Sequence, residues 1–267
     1  MKISIATWNV NSVRAHLPTV EQFLAERQPD ILCLQEIKVT NEIFPLELFE
    51  SHGYAHHALH GQKAYHGAAI FAKAHLPLDK VRRKDWCGVE QARHLYCTLP
   101  GGVELHNFYV PAGGDKPDVE KNDKFQHKLD FMGEVTAWFK GRRAKKNRFI
   151  LVGDLNVAPL ETDVWNHKQL LRVVSHTPIE VAHMDAWYAS HDWVDAVRHF
   201  IPGTENIYSW WSYRSPNWEQ ADKGRRLDHV WVTPALRESL RGAEIFKAAR
   251  GYQPASDHAP VIVELEI

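Results

Sequence analysis

The chain has 267 residues, 44% of them hydrophobic and 10 of them tryptophan, enough apolar surface for one large core with no visible linker. With 32 basic against 33 acidic residues, a nucleic-acid partner has to be met by local patches and not by a global positive field. Cys33, Cys87 and Cys97 form an odd set without CxxC spacing, which argues against a disulfide framework and a zinc site. The segment Met1 to Trp8 holds no apolar leader, and no stretch is long enough to cross a bilayer, so the expectation is a soluble cytoplasmic chain with no membrane partner.

Residues 2 to 11 alternate as a first strand, with Ile3 and Ile5 on the face that later presents Thr7, Asn9 and Asn11. Pro18 opens a short helix carrying Val20, Phe23 and Leu24, and Pro29 stops it. Asp30 to Glu36 reads as a second buried strand that ends in Gln35 and Glu36. Two apolar strands joined by a helix point to layered α/β construction. Residues 42 to 52 form a weak helix, and Tyr54 to Lys73 reads as strands around Gly61 and Gly67. His52, His56, His57, His60 and His66 lack the spacing of a metal site. Arg82, Arg83 and Lys84 read as a solvated turn. Glu90 to Leu99 enters a strand that Pro100-Gly101-Gly102 turns into Val103 to Tyr109.

Phe125, Leu129, Met132, Val135 and Phe139 make an apolar stripe at helical period. The five cations from Arg142 to Arg148 complement the C-terminal dipole of that helix. Phe149 to Val152 is a continuous apolar run that suits a buried strand. Beyond Gly153 stand Asp154 and Asn156, two apart and therefore on one side of an extended chain, pointing out of the core. Thr177-Pro178-Ile179-Glu180 is a capping box that starts a helix through Tyr188, and a second short helix covers Trp193 to Phe200. Ile207 to Arg214 holds four aromatics; adjacent Trp210 and Trp211 face opposite ways, so one serves the core and the other can form a stacking wall. Gly224 to Thr233 is another strand with Asp228 near its start, and Val261 to Ile267 is the last, after Ser256-Asp257-His258.

The polar strand ends suit cleavage of a phosphate ester by water. A hard divalent cation wants oxygen ligands and keeps several waters, so one carboxylate, Glu36, suffices to hold Mg²⁺. Asp154 can orient or deprotonate the attacking water, and Asn156 can hold that water or a phosphate oxygen. His258 offers an imidazolium to the developing negative charge, with either Asp257 or Asp228 as its carboxylate partner.

Trp-Asn-Val-Asn at 8 to 11, Leu-Gln-Glu at 34 to 36, Tyr-Val-Pro at 109 to 111, Gly-Asp-Leu-Asn at 153 to 156, Arg-Leu-Asp at 226 to 228 and Ser-Asp-His at 256 to 258 resemble, in order, the exonuclease III family of abasic-site endonucleases. The resemblance implies a DNase I-like fold over a single domain of residues 1–267: a four-layered α/β sandwich of two mixed sheets face to face with helices outside. It implies a monomer that uses Mg²⁺, with Mn²⁺ able to substitute, on double-stranded DNA carrying abasic or 3′-blocked sites. The expected activities are incision 5′ to the abasic site, 3′→5′ exonuclease and 3′-phosphatase. Carried over residue by residue, it makes Glu36, Asn9 and Asp257 the metal set. Tyr109, Asp154, Asn156, Asp228, Asp257 and His258 become the catalytic set, and Asn11, Arg93, Trp210 and Arg214 the DNA-contacting set, with Trp210 in the pocket for the base-less sugar. Two departures stand out: Ala112 in place of a larger amide that probes the duplex, and Arg225 where relatives are apolar. The alternative is a phosphohydrolase of the same superfamily acting on a phosphate ester other than DNA.

Overall fold

A computed structural model of the chain describes residues 1–215 and 217–267. The strands in chain order are β1 (Lys2–Asn9), β2 (Ile31–Gln35), β3 (His56–His60), β4 (Ala68–Ala72), β5 (Asp79–Arg83), β6 (His94–Leu99) and β7 (Val103–Tyr109). They continue with β8 (Phe149–Asp154), β9 (Val194–Asp195), β10 (Trp210–Trp211), β11 (Gly224–Arg225), β12 (Asp228–Val232), β13 (Leu240–Ile245) and β14 (Val261–Glu266). One six-stranded mixed sheet has the order β13-β14-β1-β2-β4-β3 and the other β5-β6-β7-β8-β12-β9, while β10 and β11 form a separate ribbon.

Strand alternation explains why the runs are apolar on both faces. Ile3, Ile5, Ile150, Val152, Val230 and Val263 meet in the core between the sheets. The next residues along, Ala6 and Trp8 in β1, turn outward onto Phe23 and Leu24 of the helix Leu17–Arg27. On the other sheet Leu151 packs outward against Met132 and Val135 of the helix Asp123–Gly141 and Met184 and Trp187 of the helix Pro178–Ala189. The result is the expected helix–sheet–sheet–helix layering. The capping box is formed: Glu180 accepts from the Thr177 backbone N–H at 3.1 Å and from its hydroxyl at 2.7 Å.

Toward one end of the sandwich the inter-sheet core turns polar. Gln35 Nε2 donates to Thr7 Oγ1 at 2.9 Å and to Asn107 Oδ1 at 2.7 Å, and Asn107 Nδ2 donates to the Leu34 and Ala69 carbonyls. These three residues, all fully buried, pin both sheets beneath the strand ends that carry the conspicuous polar residues.

Several local expectations change. Arg82 and Arg83 lie in the exposed edge strand β5, because an edge strand facing solvent on both sides can be charged throughout. Trp193 to Phe200 divides into β9 and the helix Ala196–Phe200, whose first turn is capped by Asp195. Only Trp210 and Trp211 of the aromatic run are strand. Asn11 and Asn156 leave the extended conformation, with φ of 43° and 54°.

Gly153 fixes how β8 delivers its end. Its φ is +141°, and a Cβ added there would stand 1.9 Å from the carbonyl oxygen of Phe108, its partner in the parallel β7–β8 pair. Gly153→Ala should therefore lower stability by about 3 kcal/mol, the upper end of overpacking costs. Urea denaturation checks this, and an unchanged midpoint would mean that β7 yields to a methyl group.

Candidate active site

The C-terminal ends of β1, β2, β7 and β8 and the N-terminal ends of β12 and β14 lie at one pole, as their pairings require. Asp154 closes β8 with Tyr109 as its register partner on one side and Asp228 on the other. From the facing sheet come Asn9 at the end of β1, Glu36 just beyond β2, and His258 just ahead of β14. Asn9 crosses the seam: its Nδ2 donates to Glu36 Oε1 and to Asp154 Oδ2, both at 2.8 Å.

His258 stands between two carboxylates. Its Nδ1 donates to Asp228 Oδ2 at 2.8 Å, and its Nε2 lies 3.8 Å from Asp154 Oδ2. Asp228, and not the adjacent Asp257, is thus the partner of the imidazole. Burial alone would lower the His258 pKa, but the Asp228 and Asp154 carboxylates outweigh it and raise it to about 10, so the ring is an imidazolium at neutral pH. Burial pushes Asp154 up to about 7, opposed by His258 and reinforced by the Asp228 charge. Ser209, which the sequence reading passed over inside the aromatic run, orients this pair. Its hydroxyl accepts from the Leu227 and Asp228 N–H groups at 3.0 Å, leaving its proton for Asp228 Oδ2 at 2.6 Å.

Asp154 and Asn156 converge through a left-handed residue and not through an extended chain, and Asp154 is buried and does not point outward. The Asn156 N–H donates to Asp154 Oδ1 at 3.0 Å, and its Nδ2 to Asp154 Oδ2 at 3.1 Å and to the Val110 carbonyl at 2.9 Å. Lys128 holds this turn from behind. Its ammonium, fully buried and paired with Glu180, donates to the Asn156 carbonyl at 2.8 Å.

Oxygen donors also gather around Glu36, which adopts φ 51°. Its Oε2 lies 2.8 Å from the Lys38 ammonium, which donates to Asn11 Oδ1 as well. On the Glu36 side of the cleft an ammonium thus lies between a carboxylate and an amide oxygen. Burial works against ionisation of Glu36, yet the Lys38 charge and the Asn9 amide hold its pKa below the ordinary value. Asp154, Asp228 and His258 also bring ligand atoms within 4.8 Å of one another, an acidic cluster able to hold a metal ion. Glu36 and the Asn11 amide oxygen offer the oxygen donors that a hard cation takes, whereas His258 Nδ1 in the cluster is taken up by Asp228. Asn9 is not placed as an oxygen ligand: its Oδ1 accepts from the Asn11 N–H at 3.0 Å, so only its nitrogen faces the carboxylates.

Tyr109 and Arg93 sit together at the rim. The Arg93 guanidinium lies 4.8 Å from the Tyr109 ring centre, and its Nη1 donates to the Tyr109 carbonyl at 3.3 Å. Arg93 is buried, which leaves it supporting Tyr109 instead of reaching for DNA directly. Burial and the Glu36 charge raise the phenol pKa, so Tyr109 keeps its proton. Asp257 belongs to the wall beside His258. Its Oδ2 accepts from Trp210 Nε1 at 2.9 Å and its Oδ1 from Asn11 Nδ2 at 3.4 Å, which ties these three together. Trp211 is the core partner of the pair, as buried as the alternation requires. Arg214 is exposed, its backbone N–H donates to Ser212 Oγ, and among the described residues its side chain makes no hydrogen bond to the cluster.

The family described as the endonuclease/exonuclease/phosphatase family matches residues 6–258. The chain is 30% identical to an exodeoxyribonuclease III of Haemophilus influenzae, over 97% of this chain and 98% of that one. In structure it is similar to an AP endonuclease from Archaeoglobus fulgidus, with a TM-score of 0.91 and 29% identity over 99% and 100% of the two chains. It is also similar to a 3′ phosphatase from Neisseria bound to product DNA hairpin, with a TM-score of 0.89 and 28% identity over 99% and 100%.

The charge arrangement makes a measurable demand on His258. In metal-free protein its ring should titrate near pH 10, and Asp228→Asn should move the midpoint downward, since removing a negative neighbour destabilises the imidazolium. Imidazole ¹⁵N shifts followed against pH report this directly. A wild-type midpoint at the ordinary histidine value would show that the two carboxylates do not act on the ring.

Proposed function

The chain belongs to the endonuclease/exonuclease/phosphatase family and is a hydrolytic nuclease, and from that premise we propose that it uses Mg²⁺ to hydrolyse phosphodiesters of duplex DNA. The sites of attack are the 5′ side of abasic residues and 3′-blocked ends, with 3′→5′ exonuclease activity beside them. The observation that carries this reading is a buried imidazole set between two carboxylates and joined through Asn9 to Glu36. The chemistry is that of water attacking a phosphorus centre. The similarity to an exodeoxyribonuclease III, an AP endonuclease and a 3′ phosphatase bound to DNA supports DNA as the ester.

Glu36 and the Asn11 amide oxygen would hold Mg²⁺ where the Lys38 ammonium now lies between them. When bound, the ion supplies positive charge to the phosphoryl oxygens as negative charge develops there. Asp154, ionised above about pH 7, orients the attacking water and takes its proton. Asn156 locks the carboxylate in place with two donors, so the base enters the reaction already aimed. The His258 Nε2–H, 3.8 Å from Asp154 Oδ2, and the Tyr109 hydroxyl donate to the phosphoryl oxygens, and Asp228 keeps the imidazolium charged and oriented. Two buried donors facing one phosphate supply the electrostatic stabilisation that water would otherwise provide.

Glu36→Ala should weaken Mg²⁺ binding by at least about tenfold while leaving the melting temperature near wild type, because a ligand at a strand tip adds little packing. Titration calorimetry with Mg²⁺ measures the first and thermal denaturation the second; undiminished affinity would move the metal to the Asp154 cluster. Asp154→Asn and His258→Ala should each lower the single-turnover rate by roughly 10²-fold or more, the scale of lost acid–base or electrostatic assistance. The assay uses duplexes with one abasic analogue or one 3′-phosphate, with and without EDTA. Hydrolysis of a small phosphate ester but of neither duplex would reject DNA as the substrate.

A further inference from the structure

Trp210 and Arg225 are register partners in the β10–β11 ribbon, so their side chains leave the same face. The guanidinium carbon of Arg225 lies 5.1 Å from the centre of the Trp210 ring, close enough for a cation–π contact. From there Nη1 reaches a different segment and donates to the Val174 carbonyl at 2.9 Å and to the Ser175 hydroxyl at 2.8 Å. The far end of this strap is itself anchored, since the Ser175 N–H donates to both Glu180 oxygens at 2.9 Å. The near end is fixed to the catalytic cluster, because Trp210 is bridged to His258 along the backbone and bonded to Asp257 through its indole. Arg225 therefore spans the space beside Trp210 on the His258 side of the site. Only one of its three guanidinium nitrogens is engaged; Nε is buried with no partner among the described residues.

We propose that Arg225 sets which group this site accepts on the far side of the scissile phosphate, favouring a phosphate with no substituent or a small carboxylate-bearing one over a neutral base-less sugar. The proposal rests on the nuclease reading above and narrows its substrate. In each case water adds to phosphorus, the bond from phosphorus to the 3′ oxygen of the DNA breaks, and that oxygen takes up a proton while the far substituent stays on the phosphate. A base-less deoxyribose seated against Trp210 must displace the strap and leave the Val174 carbonyl and Ser175 hydroxyl short of a donor. A 3′-phosphate needs no such room. A 3′-phosphoglycolate brings its carboxylate toward Nη2, which makes no hydrogen bond among the described residues, and so meets the guanidinium charge.

The test compares wild type, Arg225→Leu and Arg225→Lys on three duplexes: a 3′-phosphate end, a 3′-phosphoglycolate end and an internal tetrahydrofuran abasic analogue. For Arg225→Leu the ratio of abasic incision to 3′-phosphate removal should rise roughly tenfold, the lower range of discrimination that pocket shape provides. The ratio of phosphoglycolate to phosphate removal should fall by a similar factor. Arg225→Lys keeps a cation without the guanidinium Nη1 that holds both Val174 and Ser175, so it should raise the abasic ratio yet retain much of the phosphoglycolate preference. It also serves as the reporting variant if the leucine protein does not fold. Activity on all three duplexes with both ratios unchanged in the variants would overturn this inference and leave the nuclease reading intact. Wild-type inactivity on every duplex would overturn both.

Discussion

A buried imidazole held between two buried carboxylates is the constraint on which the rest of the molecule depends. An ionised group out of water is tolerated only where an opposite charge and enough hydrogen bonds replace its hydration. His258 comes from one sheet and Asp154 and Asp228 from the other, so each sheet supplies what the other needs. The register Asp154↔Asp228 at the ends of β8 and β12 sets the two carboxylates on either side of the ring. Asn9 adds a second tie across the same seam. Removing one member would leave an uncompensated charge as well as an absent catalyst, which couples the stability of the seam to its chemistry.

A second buried pair does the holding from behind. Lys128 and Glu180 are both fully buried, and the cost of desolvating the ammonium shows in its lowered pKa, against the pull of Glu180. The pair is offset by saturated hydrogen bonding: Glu180 accepts from Ser175 and Thr177, and Lys128 donates to the Asn156 carbonyl. One ion pair therefore secures the helix start at Thr177, the turn that aims Asp154, and the segment gripped by Arg225. A hydrophobic pair of equal volume could match its packing but could not donate to the Asn156 carbonyl.

What was legible in the sequence was whatever depends on local period or local chemistry. Phe149 to Val152 reads as a strand buried on both faces because it has no polar member, and Thr177 to Glu180 reads as a helix start because its hydrogen bonds close within four residues. That polar residues collect where strands stop was also visible. What could not be read was which of them meet. Asp257 adjoins His258 in sequence, yet the chain at 256–258 turns so that Asp257 faces Trp210, while Asp228 arrives from the opposite sheet. Asn11, Glu36 and Asn156 take left-handed conformations that an extended reading of strand ends does not contain. Arg93 and Lys128 carry side chains that are exposed by default in a sequence reading, and only tertiary packing buries them. Of the recognition residues expected, Trp210 and Asn11 stand against the cluster and Arg214 does not.

Chemistry and recognition rest on different parts of the scaffold. The catalytic side chains stand on the ends of two six-stranded sheets that share one core, where a backbone shift on one strand would disturb its neighbours. Trp210 and Arg225 stand on a two-stranded ribbon outside both sheets. The ribbon is tightly held at Gly224, where a Cβ would come within 2.4 Å of Tyr208, while Trp210 and Arg225 share one of its faces. A substitution on that ribbon can alter which group fits beside the phosphate without moving Asp154, Asp228 or Glu36. Because Trp210 is bridged to His258, such a change is still made beside the imidazole. An arginine at position 225 is thus placed where specificity can change at small cost to the catalytic geometry.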